Sequence, residues 1–124
     1  MAIITLAELV EDASLSGVSI GAIVRAREAE QSGRTEDDLN SDMQERLGVM
    51  RSAVSYGLGG VRSRSGITGG DGPRMAAARL KGKAICGEPL DSAMAYALAV
   101  TEVNASMGRI VAAPTAGSCG VLPG

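Results

Sequence analysis

Two short stretches of this chain concentrate the side chains that could do chemistry. The first is Ser63-Arg64-Ser65-Gly66-Ile67-Thr68-Gly69-Gly70-Asp71-Gly72, which combines hydroxyls, a guanidinium and a carboxylate with small residues. Small residues let backbone amides converge on an anion such as a carboxylate or a phosphate. The same composition suits a flexible linker equally well. The stretch lacks the Lys-Ser/Thr ending of a P-loop and the preceding strand of a dinucleotide fold, which disfavours nucleotide binding. The second stretch runs from Gly108 to Gly124, with Pro114, Gly117, Gly120, Pro123 and Gly124 breaking it and Cys119 between a serine and a glycine. That density of Gly and Pro rules out regular structure and lets amides approach a ligand closely. A thiol on such a turn, leading into a new helix, would have its pKa lowered by backbone N–H groups and the positive helix end. The alternative is a buried structural cysteine, since free cysteines are among the most buried residues. Asn104, at a helix end before Gly108, can cap the helix, bond a loop or face a site.

The elements that must position these stretches read as helices. Thr5-Leu6-Ala7-Glu8 is a capping box that opens a helix to about Leu15. A second helix follows from about Ser19 to Gln31, with Gly33 as its stop. Thr35 caps the third, whose first turn carries Glu36, Asp37 and Asp38 to complement the dipole. Leu39, Met43, Leu47, Met50 and Val54 recur there at steps of four and three, which predicts a buried stripe on a helix ending near Tyr56-Gly57. Pro73 suits the first position of a short helix through Leu80. The last helix is expected from Leu90 or Asp91 to about Ser106, with Met94, Ala97, Leu98 and Val103 facing in. Only Arg109 to Ala113 has any strand character. The expected fold class is therefore mainly α, one domain of about five helices carrying glycine-rich loops, with no internal repeat.

The totals narrow the function classes. At 124 residues the chain holds at most one domain. A net charge of −2 gives no electrostatic reason to bind nucleic acid or an anionic membrane, so neither is expected as a partner. No apolar run approaches the ~20 residues of a membrane span, and no secretion signal is visible. Cys86 and Cys119 are too few for a disulfide scaffold, so the chain reads as cytoplasmic. The absence of histidine excludes a Ser-His-Asp triad and a His-ligated metal within this segment. With two tyrosines and no Phe or Trp, the core must come from Leu, Ile, Val, Met and Ala, and the 17 glycines point to close helix packing.

Three motifs carry a resemblance. Ala113-Pro114-Thr115-Ala116-Gly117-Ser118-Cys119-Gly120 resembles the first cluster-ligand loop in the α (catalytic) chain of the iron–sulfur-dependent L-serine dehydratases. Ser65-Gly66-Ile67-Thr68-Gly69-Gly70-Asp71 resembles that family's SGLTGGD loop, and Glu102-Val103-Asn104-Ala105-Ser106-Met107-Gly108 resembles its E-x-N-A-x-x-G helix end. They stand in family order and spacing, and the resemblance covers essentially the whole chain. It implies a lyase that converts L-serine to pyruvate and ammonia. It also implies a [4Fe–4S] cluster held by three cysteines, Cys119 being the first, whose ligand-free iron acts as a Lewis acid on the serine hydroxyl. Ser65, Thr68, Gly69, Gly70 and Asp71 would hold the substrate's carboxylate and amine, with Asn104 and Thr115 as further contacts. The other two cluster cysteines would lie beyond Gly124. The chain is thus expected to be an N-terminal part, residues 1–124, of the catalytic domain, unable to hold the cluster or turn over alone. A β domain or β chain and a homo- or hetero-oligomer are the implied partners. No base is identifiable, and Cys86 matches no motif. Lys81 and Lys83 sit in a plain polar turn with no Schiff-base setting. Two other readings stay open: a non-catalytic helical assembly or regulatory domain that binds a small anion, and a related lyase acting on L-cysteine.

Overall fold

A computed structural model describes residues 5–124. They form five α-helices: α1 (Leu6–Ser16), α2 (Ile20–Ser32), α3 (Glu36–Leu58), α4 (Asp71–Leu80) and α5 (Leu90–Ala105). A single 3-10 turn, Ala116–Ser118, follows, and no strand is present among the described residues. The stretch from Arg109 to Ala113, the one with strand character in the sequence, forms no strand. None of these helices is long and apolar enough to cross a membrane. The chain divides into two units, Met1–Gln44 and Glu45–Gly124.

The caps explain the first unit. Thr5 N–H donates to the Glu8 carboxylate at 2.7 Å and Glu8 N–H to the Thr5 hydroxyl at 3.3 Å, so two orphan donors of α1 are satisfied reciprocally. Those bonds from the Thr5 backbone and hydroxyl hold the Glu8 carboxyl below its usual range. Gly17 and Gly33 close α1 and α2 in the left-handed conformation, at φ 68° and 67°. Thr35 and Asp38 repeat the reciprocal cap on α3. Ion pairs join Arg27 to Asp12, Arg25 to Glu36 and Arg34 to Asp42. No residue of α1 or α2 is buried.

The second unit holds the core, made of Ala53, Val61, Ala95, Ala99, Val100, Val103 and Cys119. Its centre is α5. A Cβ on Gly57 of α3 would stand 2.3 Å from the Ala99 carbonyl oxygen, and one on Gly72 of α4 would stand 2.8 Å from the Ala99 amide nitrogen. Backbone therefore meets backbone, and only residues without a side chain allow it.

Three expectations need correction. On α3, Met43 and Leu47 are 58% and 45% exposed, while Leu39, Met50 and Val54 are half-buried, so the stripe is not a buried face. The residues of α3 that are buried are the small ones, Ala53 and Gly57. On α5, Met94 and Leu98 stay exposed and Ala97 half-buried, because the close glycine contacts leave room across the interface for alanine and valine only. Finally, α4 begins at Asp71 rather than Pro73. Pro73 is its third residue, where the missing N–H would have no intrahelical acceptor anyway.

Candidate functional site

The glycine-rich stretch is a closed loop rather than a linker. Ser63 knots it: its N–H donates to the Thr68 carbonyl at 2.8 Å, its carbonyl accepts from Gly66 at 2.9 Å, and its hydroxyl accepts from the Thr68 amide at 3.1 Å. The Ser65 hydroxyl lies 3.2 Å from that of Ser63. At the root, Gly69 adopts φ +137°, and a Cβ there would sit 2.2 Å from the Val61 carbonyl oxygen, so only glycine closes the loop. Ser65 and Thr68 are exposed on its outer side. The amides of Gly69 and Gly70 and the Thr68 hydroxyl have no hydrogen-bond partner among the described residues. Asp71 leaves the loop as the first residue of α4, and its carboxylate pairs with Arg74 one turn on.

The exit of this loop is held by a residue that the sequence showed only as a motif letter. Glu102 of α5 is 3% exposed. Its Oε1 accepts from the amides of Asp71 at 2.5 Å and Gly72 at 3.3 Å, so a buried carboxylate from one helix caps the N-terminus of another. Its Oε2 is buried with no partner. The available signal was a lone acid between valine and threonine on an alanine-rich helix, where a carboxylate has no reason to be unless it is paired. Ser63, the knot of the loop, was likewise not singled out.

The second stretch is anchored on the same helix end. Asn104 Nδ2 donates to the Ala116 carbonyl at 3.0 Å, so the loop-bonding alternative holds. The Thr115 hydroxyl lies 3.1 Å from that of Ser118, which also reaches the Ala113 carbonyl at 3.0 Å. Gly120 packs on α5 so closely that a Cβ would meet the Ala97 carbonyl oxygen at 2.6 Å. Between them Cys119 is 1% exposed, with Sγ 4.0 Å from the Val100 carbonyl oxygen.

This corrects the expected thiolate. Cys119 follows the 3-10 turn, and its amide bonds back to Ala116, so no helix opens at the cysteine. Burial pushes its thiol up, against a smaller backbone hydrogen bond that pulls it down. The donor set also bears on the implied cluster. No group of three or more His, Cys, Asp or Glu that could hold a metal occurs among the described residues. Cys86 is exposed in the turn before α5, its amide 3.3 Å from buried Asp91. The residues present therefore supply one buried thiol and do not by themselves fit a [4Fe–4S] cluster, which needs several thiolates.

Of the expected residues, Asp71 meets α5 through its backbone amide, Asn104 lies in the last turn of α5 and reaches the Ala116 loop, and Thr115 and Cys119 share one turn. Ser65, Thr68, Gly69 and Gly70 share the other loop. The two loops are joined through the last two turns of α5.

Comparison with known proteins agrees with these motifs. Residues 15–124 match the family described as "Serine dehydratase alpha chain". The chain is 42% identical over 117 residues to a Bacillus subtilis (strain 168) protein named "Probable L-serine dehydratase, alpha chain", covering 94% of this chain and 39% of that one. It is 35% identical over 124 residues to the "L-serine dehydratase, alpha chain" of Peptoniphilus asaccharolyticus, covering 96% and 41%. With the "L-serine dehydratase" of Streptomyces coelicolor it shares 38% over 122 residues, covering 94% and 26%. The chain thus spans about two fifths or less of the length of these relatives. No solved structure matches. The chain belongs to the serine dehydratase alpha chain family.

Proposed function

We propose that this chain is the part of an L-serine dehydratase that holds the substrate loop, in a cytoplasmic enzyme that converts L-serine to pyruvate and ammonia. The observation that carries this reading is the joint anchoring of the two motif-bearing loops on one helix end, through Glu102 and Asn104. A substrate loop needs donors that the fold itself has not used. The amides of Gly69 and Gly70 and the hydroxyl of Thr68 are such donors and suit a carboxylate, and the Ser65 hydroxyl, shared with that of Ser63, stands beside them. Asp71, exposed at the start of α4 and paired there with Arg74, would exchange that partner for the substrate ammonium.

The complete enzyme is proposed to contain a [4Fe–4S] cluster, with Cys119 as one of its thiolate ligands, and a β domain or β chain within an oligomer. When bound, the cluster would supply a Lewis acid for the departing hydroxyl. Cys119 is buried, so ligation there would require its thiol to give up a proton in the core.

The test is pyruvate formation from L-serine by the complete protein, wild type against Asp71→Asn, Thr68→Val and Cys119→Ser. Asp71→Asn and Thr68→Val should lower turnover or substrate affinity while the protein stays folded. Cys119→Ser should lose iron and activity together, and Cys86→Ser should keep both. Failure of the wild type to form pyruvate, or unchanged kinetics in all three variants, would overturn the reading.

A further inference from the structure

The root of the glycine loop holds a guanidinium that none of the described residues neutralises. Arg62 follows buried Val61, and its stem runs along the Gly69 backbone: a Cβ on Gly69 would stand 2.7 Å from Arg62 Cα and 3.0 Å from its Cγ. The stem is thereby aimed. Its Nη2 ends 3.9 Å from the Cβ position of Gly70, whose amide lacks a partner among the described residues. Arg25, Arg27, Arg34, Arg74, Arg79 and Arg109 each pair with a carboxylate. Arg62, like the exposed Arg51 and Arg64, pairs with none among the described residues. The two acids of this region are taken, Asp71 by Arg74 and Glu102 by backbone amides.

A cavity of about 450 Å³ opens beside it, lined by Ser55, Tyr56, Gly59, Gly60, Arg62 and Ser106 among others. Its walls combine hydroxyls and bare backbone with the Tyr56 ring, Val61 and one cationic group. A guanidinium presents its donors in a fixed fork that matches a carboxylate bidentately, which no hydroxyl or single amide does. The cavity has ample room for a three-carbon acid.

We propose that Arg62 is the carboxylate-binding residue of this site, receiving a small amino or 2-oxo acid at the mouth of the cavity, with the Gly69 and Gly70 amides alongside. The identification of that acid as L-serine or its product rests on the dehydratase reading; the carboxylate site does not.

The experiment uses the complete protein, steady-state kinetics with L-serine and L-serinamide, and calorimetric titration with L-serine and with pyruvate. Arg62→Met should raise KM for L-serine about 10- to 100-fold, with a smaller change in kcat, as expected for loss of a charge-assisted pair. It should also remove the preference for L-serine over L-serinamide, which lacks the carboxylate. Arg62→Lys should recover part of the affinity. Arg51→Met, the same charge change on an exposed position of α3, should leave KM unchanged. A KM within twofold of wild type in Arg62→Met, with the preference intact, would overturn the proposal. A wild type that binds pyruvate but forms none from L-serine, with binding lost in Arg62→Met, would refute the lyase reading and support the site. Should Arg62→Met fail to fold, Arg62→Lys is decisive: a severalfold higher KM supports the proposal and an unchanged one overturns it.

Discussion

Replacing Glu102 tests the joint between the loop and the helix that holds it. In Glu102→Ala the part-buried amide of Asp71 and the buried amide of Gly72 lose their acceptor. An orphaned buried donor costs about 1–3 kcal/mol, so two cost about 2–6 kcal/mol. Against this stands the relief of a carboxylate that is 3% exposed and whose Oε2 has no partner. That relief offsets part of the loss, and about 3 kcal/mol of net destabilisation is expected. Glu102→Gln keeps a carbonyl for both amides. It gives up the charge at the α4 N-terminus, about 0.3–2 kcal/mol, and puts an amide group where Oε2 already lacks a partner. It should therefore cost about 1–2 kcal/mol, less than alanine. Urea unfolding gives the stability change, and hydrogen exchange of the Asp71 and Gly72 amides reports the joint directly. Loss of under about 0.5 kcal/mol in Glu102→Ala, with both amides still protected, would refute the reasoning.

Further outcomes follow from the packing. Gly57→Ala and Gly72→Ala should each destabilise by about 1–3 kcal/mol or more, because a Cβ meets the Ala99 backbone. Gly48→Ala on the same α3, with nothing within 4 Å of its Cβ position, should stabilise by about 0.5–1 kcal/mol in the same unfolding assay. Leu47→Ala should lower stability by less than about 1 kcal/mol, since Leu47 is 45% exposed, and a loss of 2–5 kcal/mol would mean the face is covered. Iodoacetamide should alkylate Cys86 in the folded protein and reach Cys119 only on unfolding, as mass mapping would register. Burial raises the folded pKa of Cys119 above the unfolded one, so the folded state keeps its proton longer. Its contribution to stability is full below the ordinary thiol range and declines as pH rises through it, which urea midpoints against pH would follow.

Local chemistry made the helices legible. Thr5, Ser19 and Thr35 mark starts and Gly17 and Gly33 mark stops, each through bonds within four or five residues. The inward face of α5 was not legible, because an alanine-rich helix is apolar nearly all round. Met94 and Leu98 have the larger apolar surfaces, yet Ala95, Ala99, Val100 and Val103 are buried. That choice is made by Gly57 and Gly72, which come from other helices and admit only small partners. The loop was legible as glycine-rich but not as knotted, since Ser63 acts through its hydroxyl and both backbone groups together. Cys119 illustrates the same limit. Its neighbours in sequence suggest an exposed thiolate, and its neighbours in space, Ala53, Val61, Val100 and Val103, make it a core residue.

The E-x-N spacing then has a mechanical reason. Successive helix residues turn by about 100°, so Glu102 and Asn104 project about 200° apart and serve opposite sides of one helix end. Glu102 takes the amides at the start of α4 on one side, and Asn104 takes the Ala116 carbonyl on the other. A spacing of three would bring the two side chains to within about 60° of each other and leave one loop without its anchor. Each loop is thus set by a polar contact to the same helix, which spaces the two anchors. A site assembled in this way depends on the backbone of α5 staying straight through Ala99, where the glycines of α3 and α4 press against it.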